Sequence, residues 1–204
     1  MRLGSLPLVL GTVLCGALLA VTAPQAQTLP PEFVLEDASP GADLTVPTSL
    51  AFFPDGRMVV TEKTGRAWII QDGVKLATPL WDATNEILEN GDRGLISVAV
   101  DPNYVVNHFI YFSYVVDPDS NGVDDDDVAF GRVTRYRTSA ADSNVVDPTS
   151  RTVLLGTTWA DGVLDGSDSH TIDALRWGAD GSLLVSAGEG ALYTQTDAGG
   201  LTPN

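Results

Sequence analysis

The sequence contains only two histidines, so few side chains are suited to act as a general base near neutral pH. His170 ends a polar loop that begins at Gly166 and precedes the apolar segment 174–177. A histidine in a polar loop that leads into a strand is well placed to act at a site, because binding and catalytic residues lie disproportionately on loops. His108 precedes an apolar run, and a structural role at a turn or strand end is the favoured reading. His170 is therefore the candidate catalytic residue, although its residue type fits a structural role equally well.

An acidic run from Asp117 to Asp127 contains a second candidate site. Its oxygen-bearing side chains stand at alternating positions and Gly122 allows a sharp turn, a spacing that suits Ca²⁺. Val128 occupies the position where an EF-hand has its bidentate glutamate, and no flanking helices are evident. A solvated acidic loop explains the run equally well. The candidate metal ligands are Asp117, Asp119, Asn121 and Asp125.

The charge balance limits the partners that the protein can bind. The 204 residues include 27 acidic and 11 basic side chains, for a formal net charge of -16. Such a surface repels phosphate backbones and anionic lipids, which argues against nucleic acid and membrane surfaces as partners. A small molecule, a cation or another protein remains.

The N-terminal segment predicts an exported protein. Arg2 precedes an apolar stretch from Leu6 to Val21, and small residues follow it. This layout predicts a signal peptide over residues 1–26, hence a secreted or periplasmic protein without a membrane span after cleavage. The only cysteine, Cys15, lies in that segment, so the mature chain has no thiol.

The remaining chain predicts an all-β fold. Residues 53–61 and 178–186 share one pattern of strand, Asp-Gly turn and strand, and residues 98–114 contain a weaker copy. Asp55 and Asp101 are 46 residues apart, within the range of ~40 to 50 residues for a four-stranded propeller blade. An unrelated β-sandwich with similar turns is the alternative. Because propellers close with four to eight blades, about three blades predict a truncated chain.

Several motifs stand in the order that is found in the glucose/sorbosone dehydrogenase family, and the resemblance covers Pro47 to about Thr196. This family has six-bladed β-propellers and includes the soluble quinoprotein sugar dehydrogenases. The resemblance therefore implies the N-terminal part of such a propeller over residues 47–204, after a linker and first strand over residues 27–46. The motifs are Phe53-Pro54-Asp55-Gly56-Arg57, Thr61-Glu62-Lys63-Thr64-Gly65, residues 91–104, Gly131-Arg132-Val133-Thr134-Arg135-Tyr136, His170, Gly178-Ala179-Asp180-Gly181 and Gly188-Glu189-Gly190.

The resemblance implies oxidation of an aldose sugar with pyrroloquinoline quinone (PQQ) and an external electron acceptor. His170 matches the family's base for the anomeric hydroxyl, and Asp92 matches a Gln or Glu close to the cofactor. Ser169 departs from the family's acid or amide before the histidine, so Asp168 or Asp173 is expected to orient the imidazole instead. The family's cofactor-pairing Arg and Lys residues and its Ca²⁺ loop come from later blades. The chain is thus expected to be inactive as a fragment.

Two other functions remain open at this stage. One is a noncatalytic propeller module that binds calcium and a carbohydrate or protein, which the departures around His170 favour. The other is a propeller hydrolase such as a lactonase, in which a channel metal activates water. Two histidines make that hydrolase less favoured than the dehydrogenase.

Overall fold

The computed structural model describes residues 29–123 and 129–191, and these residues are almost entirely strands and turns. The predicted all-β fold is therefore confirmed. The helical pieces are α1 (Tyr104–Asn107) and a 3₁₀ turn (Trp159–Asp161). The strands are β1 (Pro47–Phe52), β2 (Met58–Glu62), β3 (Arg66–Gln71), β4 (Val74–Lys75), β5 (Trp81–Asp82), β6 (Leu95–Val100), β7 (Phe109–Val116), β8 (Phe130–Thr138), β9 (Val146–Leu155), β10 (Val163–Leu164), β11 (Ile172–Trp177) and β12 (Leu183–Ala187).

The chain divides into two units, residues 1–36 and 37–204. In the described part of the first unit, the Phe33 amide donates to the Pro30 carbonyl at 3.2 Å and closes a turn. The described residues from 29 to 46, where we expected a linker and a first strand, contain no strand, and β1 begins at Pro47. The expected signal peptide, residues 1–26, lies outside the described residues. Within the described ranges, no helix has the length and apolar character needed to cross a membrane.

The described residues of the second unit form three antiparallel sheets, which are part of a β-propeller. The first sheet has the order β1-β2-β3-β4, with β5 also paired to β3. The second has the order β10-β8-β7-β6, with β9 also paired to β8. Strands β11 and β12 form the third. These sheets correspond to the three repeats that the sequence predicts.

The two matching repeats form hairpin turns with the same hydrogen bonds. The Phe53 amide donates to the Arg57 carbonyl and the Gly178 amide to the Ser182 carbonyl, both at 2.8 Å. The glycine of each Asp-Gly pair has a positive φ, 90° at Gly56 and 83° at Gly181. Residues with a Cβ adopt this conformation rarely, which explains the repeated glycine.

The sheets pack through two apolar cores. Between the first and second sheets, Trp81 stacks on Phe112 with ring centroids 4.5 Å apart. Between the second and third sheets, the edge of Tyr111 meets Trp177 at 5.3 Å, and Leu175 is fully buried. Strand β7 is buried on both faces, and its successive side chains enter the two cores in turn. The second sheet therefore packs against both neighbours, so the packing order follows the chain order.

Hydrogen bonds also join the first strands of the three sheets. The Thr48 hydroxyl, in β1, donates to the Leu95 carbonyl of β6 at 2.6 Å. The Leu175 amide, in β11, donates to the Ser97 hydroxyl of β6 at 3.1 Å. The Trp177 indole donates to the Val100 carbonyl at 2.8 Å. Strand β6 therefore holds β1 and β11 beside it, which sets the position of the loop that precedes β11.

Candidate active site

The two loops that carry the candidate site residues lie against each other. Asp92 belongs to the segment between β5 and β6, and His170 to the segment between β10 and β11. The Asp92 amide donates to the Asp168 carbonyl at 2.6 Å. In return, Asp92 Oδ2 accepts from the Ser169 hydroxyl at 3.0 Å and from the His170 amide at 3.3 Å. The structure thus brings Asp92 and His170 together, although 77 residues separate them in the chain.

The His170 ring has a carboxylate partner, because Nδ1 is hydrogen-bonded to Glu189 Oε1. Both side chains are partly open to solvent, at 38% exposure for His170 and 44% for Glu189. Backbone hydrogen bonding and then the His170 ring lower the pKa of Glu189, so it is ionised at neutral pH. A carboxylate on Nδ1 favours the tautomer with the proton on Nδ1, which makes Nε2 the acceptor for a substrate proton.

The close packing of these loops depends on two glycines. A Cβ on Gly188 would lie 2.4 Å from the His170 carbonyl oxygen, and one on Gly91 would lie 2.2 Å from the Asp168 carbonyl oxygen. Both distances are well below van der Waals contact. His170 itself has a positive φ of 56°, an uncommon conformation for a residue with a side chain. Strain of this kind is often found at functional sites.

Asp92, His170 and Glu189 line one cleft of about 370 Å³. Ile96 and Ile172 add apolar surface, while Asp173 adds a further carboxylate. Among the described residues that line the cleft, none is an arginine or lysine. The cleft thus combines a histidine, its carboxylate partner and an acidic wall, an arrangement that suits removal of a proton from a neutral hydroxyl compound.

The sequence model of the family described as Glucose / Sorbosone dehydrogenase matches residues 44–201 of the chain. The chain belongs to the glucose/sorbosone dehydrogenase family. A similar protein in Synechocystis sp., described as uncharacterized, is 28% identical over 151 residues, which are 71% of this chain and 33% of that protein.

Solved sugar dehydrogenases share the fold. The apo-form of the soluble aldose sugar dehydrogenase from Escherichia coli is 26% identical, with a TM-score of 0.56 over 72% of this chain and 39% of that chain. The PQQ-bound form of aldose sugar dehydrogenase from Streptomyces coelicolor is 16% identical, with a TM-score of 0.61 over 79% of this chain and 43% of that one. The chain therefore spans about two fifths of these structures and a third of the curated relative.

In this member of the glucose/sorbosone dehydrogenase family, His108 has the surroundings of a structural residue. It follows α1 with a φ of 58°, and its amide donates to the Tyr104 carbonyl at 2.8 Å. Its ring meets the Tyr104 ring edge-on at 5.5 Å. The His108 carbonyl accepts from the Thr138 amide at 3.0 Å. These contacts close the turn between α1 and β7.

The described part of the acidic loop, residues 117–123, is held by hydrogen bonds within itself. Asp117 is buried, and its carboxylate accepts from the Gly122 amide at 2.7 Å. The Asp119 carboxylate accepts from the Asn121 amide at 3.1 Å and from its side-chain amide at 2.6 Å. Asp125, the fourth candidate ligand, lies outside the described residues. Within residues 29–123 and 129–191 no cluster of three or more metal-binding side chains occurs, so this Ca²⁺ site stays a prediction.

Sequence reasoning missed the residue that orients the histidine. We expected Asp168 or Asp173 in this role, but the carboxylate on the ring is Glu189, so that expectation is wrong. The Asp168 carbonyl accepts from the Asp92 amide, and the Asp173 carbonyl accepts from the Ser113 hydroxyl at 2.7 Å. The signal that could have revealed Glu189 is its place in the Gly188-Glu189-Gly190 motif directly after β12.

Proposed function

We propose that the chain contains the proton-accepting half of the active site of a sugar dehydrogenase, with His170 as the general base. The observation that carries this proposal is the His170 imidazole in the cleft with Glu189 on Nδ1. Membership of the glucose/sorbosone dehydrogenase family supports the reaction class. An aldose, oxidised at its anomeric carbon, is the proposed substrate.

In the proposed step, the substrate gives a proton to one acceptor and a hydride to another. The anomeric hydroxyl gives its proton to His170 Nε2, while the hydride on the same carbon leaves to the electron acceptor and a lactone results. PQQ, when bound, would supply the quinone that accepts this hydride. Glu189 would hold the ring in orientation and stabilise the imidazolium that forms, as a carboxylate on the distal nitrogen of a catalytic histidine does.

The described residues do not by themselves fit PQQ, which has three carboxylates. The described lining of the cleft is acidic, with Asp92, Asp173 and Glu189 but no arginine or lysine. Unpaired anions brought this close would repel the cofactor. We therefore propose that cationic contacts for PQQ come from outside the described part of the chain, and that the 204 residues alone do not turn over sugar.

The carboxylate of Asp92 is already used within the site. Its Oδ2 accepts from the Ser169 hydroxyl and the His170 amide. Contact with the cofactor, as the resemblance implies for Asp92, remains a proposal, and we propose orientation of the His170 segment as its main role.

Binding of Ca²⁺ by the acidic loop, export after cleavage near residue 26 and use of an external electron acceptor are likewise proposed. Mass spectrometry of the exported protein tests the cleavage, since an intact mass that includes Met1 to Val21 contradicts it.

The decisive experiment compares the two histidines in a protein extended through all blades and supplied with PQQ and Ca²⁺. Loss of a general base lowers turnover by roughly 100-fold or more, so dye reduction by aldoses should fall by that factor in His170→Gln. His108→Gln serves as the control, because its ring packs against Tyr104. Full activity in His170→Gln refutes the proposed role, and equal losses in both variants indicate damage to the fold.

A noncatalytic carbohydrate-binding module is the second candidate. The acidic wall of the cleft favours it, because neutral sugars bind beside carboxylates that accept their hydroxyl hydrogens, whereas an anionic cofactor does not. Calorimetry separates the two candidates: sugar binding that persists in the extended protein without any dye reduction supports the binding module.

A further inference from the structure

One ion pair between the two site loops is almost completely buried. Arg93 Nε donates to Asp165 Oδ2 at 2.7 Å, and the side chains are 4% and 0% exposed. Arg93 also donates to the Asn90 side-chain oxygen at 3.3 Å, within its own loop. It directly follows Asp92, and Asp165 lies five residues before His170. Neither partner belongs to the lining of the cleft.

A buried ion pair of this kind adds little to stability compared with well-packed apolar side chains, because two charges must be desolvated. Its geometric effect is more specific. Arginine presents donors in a rigid planar fork, which fixes the direction and distance of the carboxylate. The ion pair joins the segment between β5 and β6 to the segment between β10 and β11. Neither segment contains a strand, so no β-sheet hydrogen bonding sets the spacing between them.

We propose that the Arg93–Asp165 ion pair is a positioning pair that sets the spacing between the Asp92 loop and the His170 loop. The pair brings the Asp92 amide to the Asp168 carbonyl and the Asp92 carboxylate to the His170 amide. The role of this spacing in catalysis rests on the proposed function, but the spacing itself is a property of the folded chain. Hydrogen exchange measures it without substrate or cofactor.

The experiment measures amide hydrogen exchange by NMR in the full chain. In Asp165→Asn, the amides of Asp92 and His170 should exchange at least roughly tenfold faster, as loss of a hydrogen bond to a charged group allows. Amides of β7 should keep their rates and serve as the internal reference for global stability. The matched control is Asp82→Asn, which weakens the exposed Arg66–Asp82 pair, also joined through Nε and Oδ2, at 3.0 Å with exposures of 42% and 41%.

A double variant, Arg93→Met with Asp165→Leu, removes both charges of the pair together. Such replacements usually retain the fold, so the same two amides should again exchange faster while β7 does not. Unchanged exchange of Asp92 and His170 in this variant overturns the proposal. Faster exchange of β7 by the same factor, or loss of the folded state, also overturns it, because the pair would then hold the fold rather than the loop spacing. If His170→Gln were fully active in the extended protein, the catalytic role would fail while the exchange result stood.

Discussion

Replacement of Ser97 by alanine tests how the third sheet is held beside the second. The Ser97 hydroxyl is buried and accepts from the Leu175 amide at 3.1 Å. It also contacts the Ser49 hydroxyl of β1 at 3.4 Å, so one side chain touches the first strands of all three sheets. In Ser97→Ala, the Leu175 amide loses its acceptor in a place that is fully closed to water.

The expected cost follows from that burial. A buried donor without a partner costs about 1 to 3 kcal/mol, so we expect the free energy of unfolding to fall by about 2 kcal/mol. For a chain of 150–250 residues this corresponds to a decrease in Tm of roughly 4 to 8 °C. Thermal and urea unfolding, followed by circular dichroism, measure both quantities. Because β11 begins two residues after His170, the variant should also weaken the contact between the cleft loops.

Ser186→Ala is the matched control. The Ser186 hydroxyl accepts from the Ala174 amide at 3.0 Å in the neighbouring part of the same hairpin, but Ser186 is exposed. Water can replace this hydroxyl, so the expected cost is below about 0.5 kcal/mol. Equal losses in the two variants, or no loss in Ser97→Ala, would refute the argument that burial of the amide determines the cost.

Three further predictions concern a glycine beside the cleft, a buried tyrosine and the acidic loop. Gly188→Ala should lower the free energy of unfolding by about 1 to 3 kcal/mol, measured by urea unfolding, because the new methyl group overlaps the His170 carbonyl. Burial and a hydrogen bond to the Asp101 carboxylate raise the pKa of Tyr111 to about 12. Because this folded-state pKa exceeds the unfolded value of about 10, the stabilisation of the folded state by the protonated hydroxyl is complete below pH ~10 and is lost as the pH rises through ~12. In calorimetric titration, Ca²⁺ should bind the acidic loop weakly, in the ~10⁻⁴ to 10⁻³ M range, and Asp119→Ala should abolish the heat.

Each of these predictions has a control or a contradicting result. Gly181→Ala adds a methyl group where no atom lies within 4 Å, so only the strain of its positive φ should appear. Tyr111→Phe should reduce the alkaline loss of stability between pH ~10 and 12 without abolishing it, because burial also raises the pKa of Tyr114 and Tyr136. An unchanged pH profile would contradict the assignment. Absence of heat at millimolar Ca²⁺, or an unaffected Asp119→Ala, would leave the solvated loop as the better interpretation.

Local features of the sequence predict the strands and turns of this fold well. The Asp-Gly pairs at Asp55 and Asp180 specify their turns because the glycine conformation is a local property. A continuous apolar run such as that of β7 specifies a strand that is buried on both faces. By contrast, the closeness of Asp92 and His170 depends on how two irregular loops meet across sheets. The family resemblance implied a shared site for them, whereas composition and spacing did not.

The contact between His170 and Glu189 shows why the partner of the candidate base could not be predicted from the sequence. Near the turn, the hairpin pairs Trp177 with Leu183, and this register continued along β11 would place His170 opposite Gly190. The register shifts between Ile172 and Leu175, so that Ile172 pairs with Ala187 instead. Beyond the strand ends, the Gly188 amide donates to the Thr171 carbonyl and the Gly190 amide donates to the His170 carbonyl, both at 2.9 Å. Glu189 lies between these two bonded glycines, and its carboxylate reaches Nδ1 of His170. The contact therefore depends on a register shift within the hairpin and on the positive φ of His170 beyond it, and no turn signal or apolar pattern in the sequence marks either feature.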